Sequence, residues 1–188
     1  MTWLAEKWLK LRGWRFVGDM PDLDKMILIG APHTTNWDFI VYLGAIRHWS
    51  ISPRYIAKHT LFRWPFGAFF RRFGGIPVDR TKGGGLVGQV TKAFDSSEKM
   101  ILVMAPEGTR SAAPHWKSGF VKIAEDAGVP IVPVYIDFTS KEVVLGSPTV
   151  FNGDEKRLMD GLRDFFSAGK GKHREGEGPI RLREEKSI

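Results

Sequence analysis

His33 and Asp38 stand five positions apart in the segment His-Thr-Thr-Asn-Trp-Asp. Across a turn that opens into a helix, that spacing can fold the carboxylate back onto the imidazole. A carboxylate that accepts from one ring nitrogen fixes the tautomer and raises the basicity of the other, which can then take the proton of a hydroxyl. Alone, the pattern is common by chance, and a capping Asp beside an incidental His explains it more simply. No metal is expected, because only one plausible ligand pair is present and the chain has no cysteine to complete a set.

Other segments change that balance. Residues 105–111 read Ala-Pro-Glu-Gly-Thr-Arg-Ser, with Glu107 in a tight glycine-containing loop and Arg110 three residues on. Backbone N–H groups in such a loop can receive an anion, and an arginine offers forked donors to phosphate. The stretch from Lys58 to Arg80 adds Arg63, Arg71 and Arg72 between its two ends, with Asp79 as its one acid. The three inner arginines read as a solvated face. Lys58 and Arg80 fall at expected strand ends and are the better site candidates.

Strands and helices must bring these residues together, and they alternate regularly. Short apolar runs predict buried strands at Met26–Gly30, Arg54–Lys58, Gly75–Asp79, Met100–Ala105 and Ile131–Phe138, with a further one at Lys141–Leu145. Helical spacing predicts helices at Trp37–His48, Leu61–Phe73, Leu86–Glu98, Trp116–Ala127 and Asp154–Phe166. Gly128 is a helix-ending signal, and Thr81–Gly85 reads as a mobile turn. Strands separated by helices imply right-handed crossovers. The expected fold is therefore α/β: a single domain with a mixed, mainly parallel central sheet flanked by helices, plus an N-terminal amphipathic helix. That helix takes residues 1–16, the domain 17–167, and a charged tail, partly ordered or solvated, 168–188.

The chain has 188 residues and 28 Lys+Arg against 21 Asp+Glu, a formal charge of +7. With 43% hydrophobic residues it is globular rather than disordered. The absence of cysteine excludes disulfide scaffolds and a thiol nucleophile. The excess charge, with seven Trp and 13 Phe, asks for an anionic partner that also has an apolar part. Nucleic acid and lipid both qualify, but no nucleic-acid-binding signature supports the first. Trp3, Leu4, Trp8 and Leu11 recur at helical spacing beside Lys7, Lys10 and Arg12, the pattern of a helix lying on a membrane surface or packed on its own domain. No run approaches the ~20 apolar residues of a membrane span, and charges interrupt any signal-peptide core. A peripheral place on the cytoplasmic side of a membrane is expected.

Taken in order, His-Thr-Thr-Asn-Trp-Asp, the Lys58–Arg80 segment, Ala-Pro-Glu-Gly-Thr-Arg-Ser and Val129–Val134 resemble the four blocks of the glycerophospholipid acyltransferase superfamily, in its lysophosphatidic-acid (PlsC-type) branch. The resemblance implies that His33 is the general base and Asp38 its orienting partner. It further implies that Lys58, Arg80 and Arg110 bind the acceptor's phosphate, with Glu107, Gly108 and Thr109 shaping that pocket and Pro133 nearer the acyl-donor side. Asn36 or backbone N–H groups would stabilise the oxyanion. Phe62, Trp64, Phe66, Phe69 and Phe70 would line an acyl tunnel or form ordinary core. No cofactor is implied; acyl-CoA or acyl carrier protein would be the co-substrate. The implied partners are an anionic lysolipid acceptor, an acyl thioester donor and a membrane surface, with no nucleic acid. Asn-Trp before Asp38, and Ala105 where Phe is commoner, depart from the family pattern and leave the acceptor open. An amino-acid-linked lipid or a glycolipid is the alternative to a lysophospholipid, and a non-catalytic lipid-binding or nucleic-acid-binding module is the remoter one.

Overall fold

The computed structural model describes residues 2–65, 67–72, 74–78 and 85–185, apart from the side chains at 57, 58, 61, 69, 70 and 72. Arg80, Phe66, residues 81–84 of the turn expected at Thr81–Gly85, and the side chains of Lys58, Phe69, Phe70 and Arg72 thus lie outside the described residues. Among the described residues, seven strands form one sheet. They are β1 (Arg15–Val17), β2 (Lys25–Ala31), β3 (Arg54–Lys58), β4 (Gly75–Val78), β5 (Met100–Met104), β6 (Ile131–Asp137) and β7 (Glu142–Leu145). Their order is β1-β7-β6-β2-β5-β3-β4. Every neighbouring pair is parallel except β6 with β7. This is the mixed, mainly parallel α/β sheet that the alternation predicts.

The helices are α1 (Thr2–Leu11), α2 (Trp37–His48), α3 (Gly67–Arg72), α4 (Gly85–Asp95), α5 (Gly119–Ala127) and α6 (Glu155–Phe166). Central β2 is buried on both faces, which is why it reads as a continuous apolar run. Ile27, Ile29 and Ala31 pack into a core completed by Phe94 of α4, Phe120 and Ile123 of α5, and Met159 and Phe166 of α6. Met26 and Leu28 face the other way, toward Val132 and Leu145. On that side Leu9 of α1 and Val41 and Ala45 of α2 close the layer. A Cβ on Gly44 would run into the Leu9 side chain, so the bare backbone of α2 lets α1 come close.

Three differences from the sequence reading have local causes. The N-terminal helix stops at Leu11, five residues short, because Gly13 adopts φ +83° and Arg15–Val17 then pair in parallel with Glu142–Val144 as an edge strand. The helix expected over 61–73 is broken into a 3₁₀ turn at His59–Phe62 and the short α3. Gly67 sits so close under the Phe62 carbonyl that a side chain would not fit. Trp116 belongs to no helix: its N–H donates to the Arg181 carbonyl at 2.7 Å, and it forms a parallel bridge with Leu182.

That bridge shows that the charged stretch after residue 167 is packed on the domain rather than solvated. Leu182 is 1% exposed, in the same core as Trp116. Arg163 of α6 pairs with Glu185 at 2.8 Å and donates to the Ile180 carbonyl.

Candidate active site

β2 and β5 are adjacent and parallel, yet their connections leave in opposite directions. From β2 the chain crosses through α2 to β3, beyond β5; from β5 it crosses through α5 to β6, beyond β2. Such a switch opens a crevice at the carboxyl ends of the two strands. His33 follows β2 by two residues and Glu107 follows β5 by three.

The turn between β2 and α2 is organised by one oxygen. Asp38 Oδ2 accepts from His33 Nδ1 at 2.9 Å, from the Thr34 N–H at 2.9 Å and from the Thr35 N–H at 3.1 Å. A carboxylate only accepts, so the proton of this pair sits on Nδ1. Nε2 makes no hydrogen bond among the described residues. Asp38 is 5% exposed, whereas the His33 side chain is about one-third exposed. A dry orienting carboxylate thus stands behind an imidazole that reaches solvent. Asp38 lies in the first turn of α2, where the helix dipole favours negative charge. Asn36, not Asp38, is the N-cap of α2, and no side chain caps it; the Asp38 carboxylate instead binds His33 and the turn before the helix.

Glu107 is turned inward. Its Oε2 accepts the His33 N–H at 2.8 Å, which ties the loop after β5 to the turn after β2. Burial pushes its carboxyl up to about 7; the His33 N–H bond and the His33 charge act in the opposite direction, and Asp38 and Glu177 add to the rise. Gly108 holds φ +68°, and a Cβ there would lie 2.7 Å from Lys117 Cε. The turn is closed by the Gly108 N–H on the Ala105 carbonyl and by the Lys117 N–H on the Pro106 carbonyl. Thr109 accepts from the Ser111 N–H. The Arg110 guanidinium donates to Asn36 Oδ1, bridging the β5 loop to the start of α2.

The fold therefore gathers His33, Asn36, Asp38, Glu107, Gly108, Thr109 and Arg110 at one edge. The backbone of Lys58 ends β3 at the same carboxyl edge, beside Val78 of β4. Trp3, Leu4, Trp8 and Leu11 lie on α1 and are 49%, 62%, 39% and 86% exposed; Trp8 stacks on Trp37, between Asn36 and Asp38.

The sequence reading missed a strap formed by residues 169–178, Gly-Lys-Gly-Lys-His-Arg-Glu-Gly-Glu-Gly. Its glycines cross the strand ends one after another. Gly169 lies against Tyr135 and Pro32, Gly171 against Thr34, Gly176 against Thr34 and the Arg110 carbonyl, and Gly178 against Ala113. The His173 N–H donates to Thr34 Oγ1 at 3.3 Å, and the Gly171 N–H donates to Glu177 Oε1 at 2.7 Å. In sequence such a run looks solvated. The apolar pair Ile180 and Leu182 beyond it was the available signal that it returns to the core.

Known proteins share this sequence and fold to differing extents. A family model described as Acyltransferase matches residues 17–137. The 1-acyl-sn-glycerol-3-phosphate acyltransferase of Escherichia coli (strain K12) is 30% identical over 122 residues, 61% of this chain and 48% of that protein. Its namesake from Haemophilus influenzae is 28% identical over 138 residues, covering 70% of this chain and 55% of the relative. The chain thus spans about half the length of the curated relatives it matches. The crystal structure of the 1-acyl-sn-glycerophosphate (LPA) acyltransferase PlsC from Thermotoga maritima superposes with a TM-score of 0.55 at 20% identity, over 91% of this chain and 81% of that one. That likeness is one of fold. The family match runs from the last residue of β1 through the end of β6 and takes in both loops of the crevice: the chain belongs to the acyltransferase family.

Proposed function

We propose that this protein moves a fatty acyl chain from an acyl thioester, acyl-CoA or acyl carrier protein, to a hydroxyl of a lysophospholipid such as 1-acylglycerol-3-phosphate. The reading is carried by the His33–Asp38 contact at 2.9 Å, with Nε2 uncommitted at a switch-point crevice. The activities named for the relatives support it.

In the proposed reaction His33 Nε2 takes the proton of the acceptor hydroxyl as its oxygen attacks the thioester carbonyl. The imidazolium that forms is stabilised by Asp38. The tetrahedral oxyanion collapses, the new ester forms, the C–S bond breaks, and the proton on His33 passes to the departing thiolate. Transfer is direct, so no residue carries the acyl group. Asn36 and nearby backbone N–H groups are the proposed oxyanion donors. Arg110, steadied by Asn36, is the proposed anchor of the acceptor phosphate, together with Lys58 and Arg80. Glu107 is proposed as a brace on the His33 backbone, within a pocket edged by Gly108 and Thr109. As written, the reaction needs no metal or cofactor. The proposed location is peripheral, on the cytoplasmic side of a membrane, with α1 lying against the lipid.

Purified protein given acyl-CoA or acyl carrier protein thioester and a mixed panel of lysolipids should release thiol and acylate lysophosphatidate, read by mass spectrometry. His33→Ala should abolish both signals. Turnover that survives in His33→Ala would remove the histidine base. Selective acylation of an amino-acid-linked lipid or a glycolipid would replace the acceptor and keep the mechanism.

A further inference from the structure

Beside the crevice, between α1, α2 and the turn after β6, lies a groove of about 320 Å³. None of the residues lining it belongs to the His33 site. Its floor is apolar, formed by Trp8, Trp14, Trp37, Val41 and Phe138. Its rim is cationic: Arg12 from the end of α1, Lys141 from the turn before β7, and Lys172 from the strap. Among the described residues, no carboxylate lines it.

The three cations are held without an acidic partner among the described residues. Lys172 Nζ stands 4.6 Å from the centre of the Trp37 ring, and the Arg12 guanidinium 5.2 Å from that of Trp8. Trp8 and Trp37 stack on each other at 6.0 Å. Lys141 Nζ donates to the Arg12 carbonyl. Cations resting on ring faces remain open to a stronger, charged acceptor. The groove is also continuous with exposed apolar surface: Trp37 is 47% exposed, and Leu4 and Leu11 project from α1 beside it. An occupant that suits all of this has one anionic head and a hydrocarbon chain, and it arrives from the lipid side.

We infer that this groove binds a single anionic phospholipid of the membrane, its phosphate on Arg12, Lys141 and Lys172 and its chain on the tryptophan floor. The site is distinct from the acyl-transfer crevice. It rests on the proposed membrane-surface location only for the source of its ligand, and it adds a choice of head group to an apolar contact that has none.

The test uses the full chain and lipids that stay monomeric. Dihexanoylphosphatidylglycerol and dihexanoylphosphatidylcholine, each below its micelle-forming concentration, are titrated at fixed ionic strength while tryptophan fluorescence is read. The anionic lipid should bind about tenfold more tightly. Arg12→Gln combined with Lys172→Gln should erase that difference with circular dichroism unchanged; each substitution removes charge but keeps a long side chain. Equal binding of the two lipids by the wild type overturns the inference, as does a preference that persists in the double variant. A preference lost in Arg110→Ala but kept in the double variant puts the lipid in the crevice and also overturns it. Inorganic phosphate that competes as well as the lipid does would reduce the groove to a free-anion site, and the inference would fall with it. Because the probes are monomers, failure of α1 to bind vesicles leaves this readout intact.

Discussion

At the scale of single residues, Asp38 carries more of the site than its distance from the reacting atoms suggests. One oxygen fixes the His33 tautomer and also gathers the two backbone N–H groups that shape the turn. Asp38→Ala should lower turnover by roughly 10²–10⁴-fold, measured as thiol release, with the circular dichroism of a folded protein. Near-normal turnover would show that His33 needs no orienting carboxylate. Glu107 makes a different kind of prediction. Its carboxyl is raised from an ordinary 4.5 to about 7, so the folded protein holds this proton more tightly than the unfolded chain. The associated stability is fully present below the unfolded value and is lost as pH rises toward the folded one, by about 3 kcal/mol across that window. Glu107→Gln keeps an oxygen for the His33 N–H and should flatten the dependence, giving the variant the advantage above neutrality. Urea midpoints at a series of pH values would check it, and parallel curves would refute it. The His33–Asp38 pair was legible in sequence because its five-residue spacing is local. The Glu107 contact was not, because it joins positions 74 apart that meet only when β2 and β5 become neighbours.

At the scale of elements, local pattern was a good guide wherever an element makes its own case. α2 and β3 fall on the residues that periodicity marked, and Gly128 ends α5 with φ +62°. Legibility failed where a partner decides. Arg15–Val17 is a strand only because Glu142–Val144 lie beside it. The strap is ordered only because its glycines fit against Thr34, the Arg110 carbonyl and Ala113. Charge-rich composition argues for solvation, yet one buried leucine and a run of small residues outweigh it. Leu182→Ala measures this directly. A fully buried leucine in a packed core should cost about 2–4 kcal/mol on truncation, whereas a solvated tail residue would change stability by about 0.5 kcal/mol or less. Chemical denaturation distinguishes the two values. The same variant should lose turnover beyond its loss of stability, since Leu182 anchors the end of the strap whose Gly171, His173 and Gly176 lie against Thr34.

At the scale of the whole molecule, the charge of +7 resolves into separate places. Arg110 stands at the crevice, and Arg12, Lys141 and Lys172 rim the groove beside it. α1 packs on its own domain through Ala5 and Leu9, while Trp3, Leu4 and Leu11 are exposed. No helix among the described residues is long and apolar enough to cross a membrane. Surface contact through α1 predicts that Trp3→Ala, Leu4→Ala and Leu11→Ala together weaken co-sedimentation with vesicles, at unchanged thermal stability. Undiminished sedimentation would remove α1 from the membrane contact. Deleting residues 1–16 would be a poorer test, because it also takes Leu9 from the core and most of β1 from the sheet. The sheet order has a consequence for how the molecule comes into being. Arg15 meets Glu142 across 127 positions, and β2 gains its two neighbours only when β5 and β6 are present. Such long-range pairing folds slowly, and on the ribosome β1 cannot pair before β7 is made, nor β2 before β5 and β6. While translation proceeds, α1 can already dock on α2, whereas the bare edges of β2 wait without partners. Newly made chain should therefore depend on chaperones that shield unpaired strand edges.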